Sequence, residues 1–129
     1  MVYILDNFLP ILAATAAGFV FGLAWHALFS RIRAGGWRHA VVFGLEFWVA
    51  CILAGAIILA PPEAGAWTMA IGSAVVIWIG FVAPTIAASG LYAVRPGKAM
   101  AVDAGHWLGV FLVQVAILQA WGLVAPASA

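Results

Sequence analysis

Charge is what this sequence has least of. Five Lys and Arg and four Asp and Glu are spread over 129 residues, 7% in all. A soluble domain carries about 25% charged residues, so a water-facing surface of ordinary composition is excluded. The formal net charge is +1, which leaves no broad basic face for nucleic acid. Cysteine is nearly missing too. Cys51 alone excludes an intramolecular disulfide and a cysteine-based metal cluster, and it reads as a small buried apolar side chain within a helix. The opening MVYILDNFLP has no Lys or Arg ahead of its apolar run. That run is also longer than the core of a cleaved signal, so the first helix is expected to be retained. No nucleophile motif, phosphate loop or metalloprotease helix occurs.

What is present is apolar: 67% of residues, in long blocks. A bilayer span needs about 20 of them in a row. Four such blocks occur, at residues 8–29, 37–60, 66–93 and 99–122. The first, of 22 residues, would reach about 33 Å as a helix. Asp6 or Asn7 is placed to cap its start, and Pro10 is tolerated in its first turn. The turn PPEAG ends the second block, since proline cannot continue the hydrogen-bond ladder. Pro84 lies inside the third. A kink is expected there, with a Ser or Thr side chain or a neighbouring helix satisfying the freed carbonyl. RPGK separates the third block from the fourth. The connections are short, so consecutive helices should be antiparallel neighbours. The expected fold is an all-α integral membrane protein: one domain, an antiparallel bundle of four transmembrane helices.

The basic residues fix an orientation. Arg31, Arg33 and Arg38 surround the first connection, and Arg95 and Lys98 lie in the third. The N-terminus, PPEAG and the tail carry none. The positive-inside rule makes the basic end cytoplasmic. The expected location is therefore a bacterial inner membrane, multi-pass, with both termini outside. Trp37, Trp67 and Trp121 stand at block ends as interfacial anchors. Trp25, Trp48, Trp78 and Trp107 are deeper and fill the bundle or face lipid. Small residues recur every four positions at Ala14, Gly18 and Gly22, ending at His26, and again at Ala101, Gly105 and Gly109. Such stripes let helices approach closely in lipid, where packing drives association.

The polar residues gather toward the basic end. Glu46 lies about 13 Å into the second helix; Asp103 and His106 lie about 6 and 10 Å into the fourth. His26 is one turn inside the first, and His39 shares a face with Glu46. Asp103, His106, Val110 and Gln114 form one stripe. Ionisable groups are expensive in a bilayer unless paired or facing a wet cavity. His26, Glu46, Asp103 and His106 therefore form a candidate polar cluster. Three readings follow, in this order. Asp103 and His106 latch the fourth helix, with Glu46 protonated or paired to His39 or an Arg. Alternatively the cluster binds protons or a small solute. Third, His26, His106 and Asp103 or another carboxylate ligate a metal, or a histidine ligates a pigment or haem; His and carboxylate suit Zn or Fe.

Several motifs resemble an uncharacterised bacterial membrane family, domain of unknown function 1761. They are Trp78, Gly80 and Phe81, then Arg95 and Pro96, then Asp103, Ala104, Gly105 and His106, with Trp121 closing the last helix. GFVFGLAWHALFSR is similar to the family's N-terminal segment, with His26 where Tyr is usual. The resemblance implies a compact four-helix membrane protein with no known activity. Asp103 replaces a usual Asn, and His106 a usual Tyr, so ionisable groups stand where the family has neutral polar ones. The leading functional expectation is a non-enzymatic subunit of a larger membrane complex or a self-associating module, in contact with lipid. No cofactor is required by the sequence. The alternative is a small proton-, metal- or solute-linked transporter or channel, and an enzyme ranks third.

Overall fold

The structure is a computed structural model describing residues 1–30 and 35–127. Arg31 and Arg33, part of the expected cytoplasmic loop, lie outside the described residues. Every described element is helical. A short α1 (Val2–Asp6) precedes α2 (Phe8–Phe29), α3 (Trp37–Leu59) and α4 (Ala66–Ile77). A π-helical turn, Trp78–Val82, joins α4 to α5 (Ala83–Tyr92), and α6 (Gly97–Trp121) completes the chain. Four spans are long and apolar enough to cross a membrane: α2, α3, the composite third span Ala66–Tyr92, and α6.

The spans match the four apolar blocks closely, because each block is bounded by proline, glycine or charge. The N-terminal α1 was not anticipated. It packs by Tyr3, whose hydroxyl donates to the Cys51 carbonyl at 3.0 Å. Burial, and then the nearby Cys51 thiol, push the Tyr3 phenol above its usual range.

Pro84 has the effect expected of it, through specific geometry. Lacking an N–H, it cannot bond to the preceding turn, and the helix widens just before it. Ala83 N–H reaches back five residues to the Trp78 carbonyl. The Thr85 hydroxyl donates to the Phe81 and Val82 carbonyls at 2.7 and 2.9 Å, so the loosened carbonyls are satisfied inside the span, as a bilayer demands.

Pair contacts give the helix directions. Trp25 of α2 lies by Gly105 of α6, Phe21 by Gly109, and Gly18 by Gln114. These sequence numbers run in opposite senses, so α2 and α6 are antiparallel. Phe19 of α2 stacks on Phe43 of α3 at 5.6 Å. The third span runs against α6, with Trp78 beside Ala104 and Gly90 beneath Met100. Thus α2, α3 and α6 surround the polar cluster, and the third span packs on α6 and α3 and sends Ala74 into the apolar core. The apolar core, including Ile11, Ala50, Leu53, Val115 and Leu118, fills the half farther from the basic residues.

Asn7 ties together the segments that flank the first and last spans. It stands at the N-cap position of α2 but makes no cap bond. Its amide donates to the Tyr3 and Val124 carbonyls, both at 2.8 Å, and its oxygen accepts from Val124 N–H at 2.7 Å. The segments before the first span and after the last therefore share one end. Arg38, Arg95 and Lys98 lie at the other.

Candidate functional site

A polar cluster sits where α2, α3 and α6 meet. Glu46 of α3 is 1% exposed, and Gln114 and His106 of α6 are 0% and 6% exposed. The glycines of α2 make room for them. A Cβ on Gly18 would stand 3.1 Å from Gln114 Nε2 and 3.2 Å from Glu46 Oε2. One on Gly22 would stand 2.8 Å from His106 Nε2 and 3.6 Å from Glu46 Oε1. The small-residue stripe of α2 is therefore a cradle for polar heads from two other helices. The stripe of α6 is its reciprocal: Gly105 receives Trp25 at 3.0 Å, and Gly109 receives the Phe21 ring. Each helix supplies holes for the other's large side chains, the packing that associates helices in lipid.

His26, half-buried in the last turn of α2, meets His106 with ring centroids 4.6 Å apart. The His106 ring also stands edge-on to Trp107 at 5.2 Å. Gln114 Nε2 donates to the Glu46 backbone carbonyl at 3.1 Å. Two buried oxygens, Glu46 Oε2 and Gln114 Oε1, receive no hydrogen bond. His39, the sequence-based partner for Glu46, instead stacks edge-on against Phe19 at 5.9 Å.

Of the four sequence-derived candidates, His106 meets His26 on one side and lies by Glu46 above Gly22 on the other, while Asp103, within electrostatic reach of His106, makes its ion pair elsewhere. Asp103 pairs with Arg95 at 2.7 Å, and both side chains are partly exposed. Three residues leave about 60° between Asp103 and His106 around the helix. That is enough for one to turn beneath α2 while the other meets the α5–α6 turn. The turn aims Arg95 at it. Arg95 N–H bonds the Gly90 carbonyl at 2.8 Å and Val94 N–H bonds the Leu91 carbonyl at 3.1 Å, a Schellman closure. Val94 holds the left-handed position at φ 53°. Among the described residues, no three His, Cys, Asp or Glu side chains converge as a metal centre would require.

Gln114 is the cluster member that the sequence-based candidates lacked. Its signal was its place two helical turns beyond His106 on the same stripe. The deep tryptophans divide. Trp25 and Trp78 donate to the Val102 and Ala104 carbonyls of α6 at 3.2 and 2.8 Å, and Trp107 packs on the core, whereas Trp48 is 52% exposed.

The third span differs from the others in burial. Only 11% of its most apolar stretch is buried within the molecule, against 33%, 28% and 33% for α2, α3 and α6. Gly72 and Gly80 would offer a Cβ nothing within 4 Å, and Val76, Ile79 and Phe81 are exposed beside them.

No curated protein and no solved structure matches the chain. A family model does match, over residues 9–119, and the chain belongs to that family, DUF1761, whose description is a protein of unknown function.

Proposed function

We propose that the chain is a small non-enzymatic membrane module that assembles laterally, with further copies of itself or as a subunit of a larger complex. The observation that supports this reading is the third span. It packs Ala74 into the core but leaves most of its surface, including Gly72 and Gly80, turned away from the chain. Glycines on such a surface permit another helix to approach closely. The polar cluster, for its part, is packed tightly against the α2 glycines, which suits an interhelical latch holding α2, α3 and α6 together. In this reading the protein sits in a bacterial inner membrane with Arg38, Arg95 and Lys98 toward the cytoplasm.

The test is native mass in mild detergent or nanodiscs. The chain weighs 13.5 kDa. A mass above one chain plus bound lipid, reduced to one chain by Gly80→Leu, supports the proposal. A wild-type monomer with no companion protein contradicts it.

A further inference from the structure

Glu46 and Gln114 present the same deficiency. Glu46 Oε2 and Gln114 Oε1 are buried acceptors with no donor, and the two side-chain heads abut one point above Gly18. Buried polar groups are seldom left unsatisfied, and an unpaired carboxylate inside a bilayer is expensive. A hydrogen on the Glu46 carboxyl removes the unpaired buried charge without calling on a cation from the chain. We infer that Glu46 is an intramembrane proton-binding site, with His106 and His26 as its route to the basic end of the bundle. This rests on the unpartnered Glu46 oxygen and is independent of the third span.

The surroundings support a proton over a counter-ion from the protein. α2 brings His26 toward the site, and α6 brings His106. Asp103, also on α6, is held by Arg95 nearer the helix end. On α3 itself, His39 is stacked on Phe19. The third span has no ionisable side chain before Tyr92. No Lys or Arg among the described residues pairs with Glu46. A path is laid out in one direction. Glu46 Oε1 and His106 Nε2 flank the same point above Gly22, and the His106 ring meets that of His26 in the last turn of α2. With His106 neutral and its hydrogen on Nδ1, a proton leaving Glu46 through Oε1 passes to His106 Nε2 while the Nδ1 hydrogen is given up toward His26. Reprotonation runs the same sequence backwards, so no electrons or other groups are consumed.

Infrared spectroscopy of the purified full-length protein in nanodiscs tests this. With only four carboxylic side chains in the sequence, the assignment is simple. The expected result at neutral pH is one protonated-carboxyl C=O band that shifts in deuterated water. It should vanish in Glu46→Gln. His106→Phe should keep the band and slow its deuterium shift at least tenfold. Lack of the band in the wild type would overturn the proposal without reliance on any variant. Persistence of the band in Glu46→Gln would assign it to another carboxyl and equally overturn it. Unchanged exchange in His106→Phe would remove the route. Loss of the band on adding sodium or potassium chloride would make the occupant a metal cation, against the proposal.

Discussion

Val94 shows how one side chain's backbone can position a distant pair. A β-branched residue at φ 53° sits where Cβ crowds the following carbonyl, at a cost of about 1–2 kcal/mol. The Schellman closure holds it there and presents Arg95 to Asp103. Val94→Gly should relieve the strain, offset partly by glycine's greater freedom when unfolded. The expected net gain is up to ~1 kcal/mol, read as higher thermal stability with Arg95–Asp103 retained; a loss of stability would show that the valine side chain contributes packing that outweighs the strain. None of this was legible in Ala-Val-Arg-Pro, which reads simply as a turn. The i, i+3 spacing of Asp103 and His106 proposed a shared site, yet a spacing cannot reveal that a long arginine from the next turn reaches one of the two first. Asn7 makes the same point. Its type and place fit a helix cap, and only the fold brings Val124 close enough to claim its amide.

At the level of the helix, the sequence was most informative where lipid imposes the rule. Long apolar blocks, prolines at their ends and the irregularity before Pro84 all follow from satisfying the backbone without water. The small-residue stripes were legible as contact faces, but their partners were not, because a glycine reports only that something comes close. The structure supplies those partners and so separates glycines that look alike. Gly22→Leu would drive a side chain into His106 and toward Glu46, whereas Gly44 on α3 has nothing within 4 Å of its Cβ position. Overpacking of a filled interior costs about 1–3 kcal/mol. Gly22→Leu is therefore expected to lower the thermal midpoint by several degrees or prevent folding, and Gly44→Leu to leave it within about a degree, as measured by unfolding in detergent. Equal behaviour of the two variants would mean that α2 does not cradle the cluster.

For the molecule as a whole, the division of labour is between an interior and an outward span. α2, α3 and α6 close around a polar cluster near one end and an apolar core near the other, with Asn7 joining the chain's two ends. The third span packs on α6 and α3 by one face and leaves Gly72 and Gly80 uncovered on another. The proposed orientation puts the basic end, and with it the His26–His106 route, toward the cytoplasm. Reporter fusions after Glu63 and after Ala129 measure this most directly. The account predicts that both report the outer compartment, with a fusion in the Arg95–Lys98 turn reporting the cytoplasm. A cytoplasmic signal from either of the first two would contradict the four-span arrangement or its orientation.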